Sequence, residues 1–260
     1  MIKPLLTYYE CDEDVIAFST TRHGGYSKGN YGELNVNSYC GDDPADLSAN
    51  LQLLASELSI PVDRIVMPHQ VHGIACRAVT DDLIALSQKA RLQLLDQVDS
   101  VMTDVKRICI GVSTADCIPV LLYDPVHHAV AAIHAGWRGT LQGIACHTVE
   151  EMSHHYHTVP HDLKAIIGPG ISLKNFEVGE EVYGAFASAG YDMDRIARKY
   201  IKWHVNLPLC NRIQLEQVGV KAESIVDTGI CTYDHVADYF SARRLGQASG
   251  RIYTGILLKE

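Results

Sequence analysis

Three side chains at the ends of predicted strands could together bind a metal ion. Cys117 stands at the start of a strongly apolar strand, and His134 ends the next strand. His72 lies in the segment PHQVHG, at the end of another predicted strand. Adjacent strands can bring a thiolate and an imidazole within reach of one ion, and zinc accepts a mixed set of nitrogen and sulfur ligands. Spacing alone does not define these residues as a set, because ligands gathered from strand ends leave no short signature.

Other interpretations of the same residue types stay open at this point. A cysteine at a strand start is more often a core residue, and a histidine near glycine is commonly a hydrogen-bonded polar residue. His69 competes with His72, since both flank Gln70 and Val71. A histidine-rich set could also take up metal, but its place at a polar helix end or turn favours solvated surface. This set comprises His127, His128, His154, His155 and His157.

Arginines near these segments are candidate anion-binding residues. Arg138 lies between a predicted strand and a helix N-terminus, where free backbone N–H groups and the helix dipole favour a phosphate. A surface ion pair is the alternative for this side chain. Arg22, in a glycine-rich loop, and Arg243, in YFSARR, are further candidates. Asp116 could orient a metal ligand or act as an acid/base group, unless its place beside Cys117 points it to the opposite strand face.

The elements that must position these residues predict a mixed α/β fold. We expect a strand over Val15 to Thr20 and a helix that carries Leu47 to Leu58 and ends before Pro61. Short apolar or β-branched segments predict the central strands RIVMPHQVHG, IACRAV, DSVMTD, ICIGVST, IPVLLYD and HAVAAIHAG. One helix is predicted over GTLQGIACHTVEEMSHHY. The last third predicts a strand at LKAIIGP, helices at EEVYGAFASAG and LPLCNRIQLEQVGV, and closing strands at DYFSARR and GRIYTGILL.

Composition narrows the class of protein. The chain has 260 residues, 47% of them hydrophobic and 20% charged, which predicts a single globular domain over residues 1–260. A formal net charge of -9 without a basic run argues against nucleic acid as a partner. No segment has the length and apolarity of a membrane span, and the start lacks a signal-peptide core. Eight scattered cysteines suggest a reducing, cytoplasmic compartment. The oligomeric state is not predicted.

Seven segments, in order from about Thr20 to Arg244, resemble the YfiH/YlmD family, also called the laccase-domain family of purine nucleoside phosphorylases. They are TTRHGGYSKGNYGELNVN, QVHG, DQVDSVMTD, STADCIPVLLYDP, HAGWRGTLQGI, IGPGISLKNFEVGEEV and YFSARR. The resemblance implies a four-layer α-β-β-α sandwich, in which two mixed sheets pack face to face with helices outside. It also implies a zinc site, with copper possible, made by His72, Cys117 and His134, and so it selects His72 over His69.

The resemblance further implies an enzyme acting on purine nucleosides. Members are associated with phosphorolysis of adenosine, inosine, guanosine and methylthioadenosine, and with deamination of adenosine. Three protein ligands leave an open metal position, which suits attack of water at C6 of adenine. For phosphorolysis, Arg138 and the neighbouring helix N-terminus, or the open metal position, could place orthophosphate. The prediction is a zinc-dependent purine nucleoside phosphorylase with adenosine deaminase activity, using small-molecule nucleosides and orthophosphate.

Competing functions are also compatible with parts of the sequence. Older family naming refers to copper-dependent polyphenol oxidases, but a multicopper centre needs several H-x-H pairs and only His155-Tyr156-His157 offers one. A hydrolase without metal would use Cys117 as nucleophile and His134 as base. A non-enzymatic zinc-binding module would need a fourth ligand, such as Cys109, because structural zinc sites are closed.

Overall fold

Residues 2–260, which the computed structural model describes, form two large β-sheets packed face to face and a small third sheet. The strands, in chain order, are β1 (Leu6–Tyr9), β2 (Val15–Thr20), β3 (Ile65–Val66), β4 (Cys76–Ala78), β5 (Ser100–Thr103), β6 (Cys109–Thr114), β7 (Ile118–Asp124), β8 (Ala129–Ala135), β9 (Lys164–Ile167), β10 (Glu177–Val178), β11 (Ala197–Lys199), β12 (Trp203–Val205), β13 (Ile225–Asp227) and β14 (Ile252–Leu258). The first sheet has the order β1-β2-β14-β6-β3, and the second has the order β13-β9-β7-β8-β5-β4.

Helices cover the outer faces of both large sheets. In chain order they are α1 (Pro44–Leu58), α2 (Asp81–Ala85), α3 (Gln88–Leu94), α4 (Trp137–Leu141), α5 (Ile144–Tyr156), α6 (Glu180–Ser188), α7 (Met193–Ile196), α8 (Leu207–Val218) and α9 (Ala242–Leu245). Helix α1 packs on the first sheet through Leu54 and Leu58. Helices α5, α6 and α8 contribute to the core on the outer face of the second sheet. The predicted four-layer sandwich is therefore confirmed.

Side-chain alternation along the strands makes the second sheet apolar on both faces. In β7, Leu121 and Tyr123 join the core between the sheets, whereas Val120 and Leu122 pack toward the helices. Because successive side chains of a strand point to opposite faces, a strand buried on both sides must be apolar throughout. The residues IPVLLY of β7 meet this requirement, and the strand is buried along its whole length, including the final Asp124, whose carboxylate accepts hydrogen bonds from the following turn.

Three sequence-based expectations about secondary structure are wrong. The helix predicted over GTLQGIACHTVEEMSHHY is divided into α4 and α5, since Gly143 adopts a left-handed conformation with φ of 80°. DYFSARR is a turn followed by α9 rather than a closing strand, because Tyr239 and Phe240 bury their rings beside Ile252 in a small separate core.

The third error concerns PHQVHG, which follows a strand instead of ending one. Strand β3 stops at Val66, and residues 69–72 form a loop with an isolated bridge at His69. The N–H group of His69 donates to the carbonyl of Leu95, whereas those of Val71 and His72 donate to a buried carboxylate. The small sheet β10-β12-β11 was not anticipated by the sequence analysis.

Across residues 2–260, no helix combines the length and the apolar character that crossing a bilayer would require.

Candidate active site

The ends of two central strands of the second sheet bring the three candidate metal ligands together. Strands β7 and β8 are antiparallel, with Ile118 opposite Ala135 and Pro119 opposite His134. Cys117 directly precedes β7, so its side chain meets His134 at this end of the strands. His72 reaches the same place from the loop after β3, and its ring centroid lies 4.8 Å from that of His134. One ligand atom from each of the three side chains lies within 4.8 Å of the others.

A buried carboxylate that the sequence analysis missed positions two of these ligands. Asp99 has no exposed surface, and its Oδ1 accepts a hydrogen bond of 2.8 Å from Nδ1 of His134. The same carboxylate accepts from the backbone N–H groups of Val71, His72 and Gly73 at 3.2, 2.8 and 2.7 Å. These bonds hold His72 in a left-handed conformation with φ of 65°. They also leave Nε2 of His134 as the nitrogen for a metal.

The register of the sheet explains why Asp99 occupies this position. Ser100 of β5 pairs with Ile133 of β8, which places Asp99 beside His134 at the end of the strands. The segment DQVDSVMTD therefore contains the necessary signal, an acidic residue directly before a strand. Its meaning depends on the pairing of β5 with β8, which the sequence alone does not give.

The charges of the site favour a thiolate in the metal-free protein. Burial raises the pKa of the Cys117 thiol, but the charge of His134 and hydrogen bonds with His134 and His72 outweigh it and lower the pKa to about 6. Burial lowers the pKa of His134, but Cys117 and Asp99 raise it to about 9. Burial also raises the pKa of Asp99, while the bond and charge of His134 bring it below its usual value. The thiolate is the form that binds metals.

Glycine is required beside the ligands for steric reasons. A Cβ atom at Gly136 would lie 2.7 Å from Cδ2 of His72 and 3.2 Å from Sγ of Cys117. Only a residue without a side chain lets the backbone after β8 approach both ligands this closely.

The donor set fits zinc or a similar borderline ion with an open coordination position. Two imidazoles and one thiolate are ligands that zinc accepts, and His72 is exposed, so the site opens toward solvent. Within residues 2–260, this is the one group of three or more His, Cys, Asp or Glu side chains with ligand atoms so close together. Cys109 lies at the other end of β6 from the cavity and packs its sulfur 3.7 Å from the hydroxyl of Tyr253. It therefore cannot serve as the fourth ligand of a closed structural site.

The trio opens into a cavity of about 360 Å³, within the range of small-molecule sites, roughly 300–1,000 Å³. Its lining comes from the loop after β2, the end of β6, the segment before β7 and the region around α9. The lining residues are Asn37, Tyr39, Cys40, His69, Gln70, His72, Ser113, Thr114, Ala115, Asp116, Cys117, His134, Ile171, Phe176, Ala242, Arg243, Gln247 and Arg251.

Two arginines line this cavity, one predicted and one missed. The side chain of Arg243 donates from Nη1 to the carbonyl of Glu177 at 3.1 Å, and its backbone N–H donates to Oδ2 of Asp116 at 2.7 Å. Arg251, directly before β14, donates from Nη2 to the carbonyl of Gln247 at 3.0 Å. Strand β14 pairs with β6, which delivers Arg251 to the cavity end of that strand. The sequence signal for Arg251 was its place at the start of the closing strand.

The other predicted anion-binding residues lie elsewhere. Arg138 is on α4, with its guanidinium carbon 4.2 Å above the ring of Trp137. Arg22 spans the glycine-rich loop, where it donates to the carbonyls of Gly32 and Val236 at 2.9 Å each. Both residues lie outside the lining of the cavity.

Asp116 lines the cavity and has both carboxylate oxygens engaged. Oδ1 accepts from the hydroxyl of Thr232 at 2.7 Å, and Oδ2 accepts from the N–H of Arg243. Asp116 therefore connects the segment before β7 with the start of α9.

The histidine-rich set lies apart from this site, on exposed surface at the end of α5 and in the turn after β7. His127 bonds to Asp124 at 2.9 Å, and His155 bonds to the carbonyl of Glu151 at 3.1 Å. These histidines lie on the solvated surface, which is the interpretation that the sequence analysis favoured.

A comparison with models of known protein families shows which family this chain belongs to. A family model described as multi-copper polyphenol oxidoreductase laccase matches residues 16–259. The chain belongs to this family. The resemblance seen in the sequence is confirmed.

Relatives within this laccase-like family are named as enzymes. A purine nucleoside phosphorylase of Bacteroides thetaiotaomicron is 43% identical over 244 residues, which cover 93% of this chain and 90% of that protein. Adenosine deaminase RL5, from an unknown prokaryotic organism, is 38% identical over 257 residues, or 98% of each chain. These relatives confirm the prediction of an enzyme.

Solved structures of the laccase-like family share the fold. YlmD from Geobacillus stearothermophilus is 32% identical and superimposes with a TM-score of 0.88, covering 95% of this chain and 93% of that one. YfiH from Bacillus licheniformis is 28% identical with a TM-score of 0.91, covering 100% of this chain and 97% of that one.

Proposed function

We propose that this chain is a zinc-dependent purine nucleoside phosphorylase that also deaminates adenosine. The observation that carries the proposal is that one cavity contains both the His72, Cys117 and His134 donor set and the guanidinium-bearing residues Arg243 and Arg251. The names of the relatives from Bacteroides thetaiotaomicron and of RL5 support the same pair of activities.

His72, Cys117 and His134 would hold the ion, and Asp99 would orient His134 and the His72 loop. A zinc ion in an open three-ligand site supplies a Lewis acid that polarises oxygen and activates water near neutral pH. Zinc is favoured over a multicopper centre because residues 2–260 contain a single such donor group. Copper in place of zinc would be detected by metal analysis.

In phosphorolysis, Arg243 and Arg251 would hold orthophosphate against the sugar. One phosphate oxygen forms a bond to C1′ while the bond from C1′ to N9 breaks. The electron pair of the broken C1′–N9 bond leaves with the purine. The proton that phosphate gives up goes to the departing base, so the products are the free base and ribose-1-phosphate. Guanidinium groups suit this role because they donate two parallel hydrogen bonds to phosphate. We assign phosphate to this pair and not to Arg138 or Arg22, which lie outside the cavity.

In deamination, the oxygen of a water molecule would add to C6 of adenosine and ammonia would leave, giving inosine. The cavity walls hold the nucleoside in both reactions. Asp116 would act as a positioning residue, since it fixes the backbone of Arg243 through Oδ2. We also propose a reducing, cytoplasmic setting, which the eight free cysteines support.

The test is chromatography of products after incubation of metal-quantified protein with adenosine. Adenine and ribose-1-phosphate appearing only with phosphate, together with inosine in either buffer, is the expected result. Both activities should disappear after chelation and return with zinc. Activity that survives complete metal removal would support the Cys117–His134 hydrolase instead, and a lack of any nucleoside product would contradict the proposal.

A further inference from the structure

The segment PHQVHG brings two histidines to the same cavity, and the metal-binding group uses one of them. His72 belongs to the ligand trio, whereas His69 lines the cavity beside Tyr39. The rings of Tyr39 and His69 are stacked, with centroids 4.4 Å apart and planes inclined by 28°. The cavity therefore has an aromatic wall that the proposed chemistry does not explain.

This aromatic pair is held in place by several hydrogen bonds. Nδ1 of His69 bonds to Oδ1 of Asp96 at 2.6 Å. The backbone of His69 donates to Leu95 and accepts from Val98, at 2.9 and 3.2 Å. The N–H of Tyr39 donates to Oδ1 of Asn37 at 2.6 Å. Because both residues are anchored through their backbones, the stacked rings form a preorganised surface.

The surface is accessible to a ligand. Tyr39 is 43% exposed although it is a large aromatic residue, and one face of its ring is already packed on His69. The exposed area therefore lies on the rest of the ring, which borders both the metal cavity and a neighbouring groove lined by Leu92 and Gln93. Flat heteroaromatic rings stack on such faces with little regard to their edge substituents.

The other aromatic residue of the cavity is less suited to this role. Phe176 has the guanidinium carbon of Arg243 5.5 Å from its ring centroid, so a cation already lies over that ring. Tyr39 is the better candidate for contact with an uncharged base.

We propose that Tyr39 and His69 form the stacking platform for the purine base and so determine the specificity of the cavity for aromatic aglycones. The inference rests on the proposed function and adds the base-recognition site to it. Stacking reads the face of the ring and not its edge, so adenosine and inosine should gain alike from the platform. A ribose derivative without an aromatic base should gain nothing.

The test compares Tyr39→Ala with Tyr39→Phe, which keeps the ring, in protein of equal metal content. For Tyr39→Ala, the KM for inosine should rise about 5- to 150-fold, the range for loss of one base stack. The KM for phosphate should stay within twofold. Tyr39→Phe should stay close to the wild type. Tyr200→Ala is a matched control, because Tyr200 is also exposed and also lies against a histidine, 4.9 Å from His204, but outside the cavity.

A binding measurement separates this inference from the proposed function. Calorimetric titration with inosine in phosphate-free buffer measures binding without turnover, since inosine has no amino group at C6. Weaker binding by Tyr39→Ala, with Tyr39→Phe and Tyr200→Ala like the wild type, would support the platform. Equal inosine binding by Tyr39→Ala and an active wild type would overturn the platform and leave the proposed function intact. If the wild type neither binds nor converts inosine or adenosine, both are overturned.

Discussion

Cys109 and Cys117 stand at the beginnings of neighbouring strands in the sequence, yet the two regions around them give their thiols opposite properties. Cys109 starts β6 in the core under α1, where burial raises its pKa to about 12, even though the hydroxyl of Tyr253 works in the other direction. Cys117 precedes β7 at the end of a central strand. There the effects of His134 and His72 on its pKa outweigh the effect of burial, and the pKa falls to about 6.

The comparison shows that burial by itself raises the pKa of a thiol, whereas the imidazoles beside Cys117 lower its pKa and favour the thiolate, the form that can bind a metal. The imidazoles are themselves positioned by a carboxylate, Asp99, which binds His134 and the backbone of His72. A metal centre at this end of strands β7 and β8 would therefore depend on the hydrogen-bond network of Asp99 as well as on the thiol itself.

The largest effect should come from exchanging the thiol ligand. Cys117→Ser replaces a thiolate with a poor zinc ligand, so metal affinity should fall by more than about 100-fold, beyond the usual loss for an outer partner. Turnover should disappear with the metal. The matched variant Cys109→Ala should keep metal and activity and lose about 1 kcal/mol of stability. Metal analysis by mass spectrometry and denaturant unfolding measure these outcomes; metal retained in Cys117→Ser would contradict the assignment.

The next effect concerns the network behind the ligands. Asp99→Asn cannot accept all the hydrogen bonds of the carboxylate, and zinc affinity should fall roughly 10- to 100-fold in a chelator competition titration. Asp124→Asn provides a control, because Asp124 is also fully buried and accepts bonds from a turn and from Nδ1 of His127. That variant should be destabilised but should bind zinc normally. Equal zinc affinity in the two variants would refute a positioning role for Asp99.

A smaller and more selective effect is expected at Arg243, one of the two arginines that line the cavity. Arg243→Ala should raise the KM for phosphate about tenfold or more, since a charge-assisted hydrogen bond is worth roughly 1.5–3 kcal/mol. Deamination uses water in place of phosphate and should change little. The neighbouring Arg244 stacks over Tyr233, with its guanidinium carbon 5.1 Å from the ring centroid, and is the matched control. Equal losses of phosphorolysis and deamination in Arg243→Ala would exclude a specific phosphate contact.

The smallest signal is the ionisation of one thiol. In metal-free protein, the absorbance of thiolate near 240 nm should rise as the pH increases through about 6, and Cys117→Ser should lack this step. Since the pKa of Cys117 is lowered, the thiolate form persists above this pH and is lost in acid. Zinc affinity should therefore decline below about pH 9, where His134 takes up a proton that the metal must displace, and more steeply below about pH 6, where Cys117 is protonated as well. Cys109, with a pKa of about 12, should contribute nothing in this range. A midpoint for Cys117 near its ordinary value would contradict the electrostatic account.

Sequence patterns predicted the elements better than the site. Alternation and capping indicated β2, α1 and the apolar strands β6 to β8, because those signals are local. Strand ends suggested residues 72, 117 and 134 as candidate metal ligands, but these residues have no characteristic spacing, and it was the resemblance that selected them and chose His72 over His69.

The missed contributions all depend on contacts between distant segments. Asp99 is placed beside His134 by the pairing of β5 with β8, and Arg251 is placed at the cavity by the pairing of β14 with β6. The proposed role of Tyr39 depends on a loop that packs against His69. DYFSARR was mistaken for a strand because burial of Tyr239 and Phe240 in a local cluster outweighs the strand propensity of the segment.

The central claim is that His72, Cys117 and His134 hold one zinc ion, and X-ray absorption at the zinc edge tests it most directly. We expect one sulfur at about 2.3 Å and two imidazole nitrogens at about 2.0–2.1 Å from the zinc, with one further light atom from solvent or substrate. Cys117→Ser should lack the sulfur shell. A zinc shell without sulfur, a shell with several sulfurs, or copper as the bound metal would contradict the account.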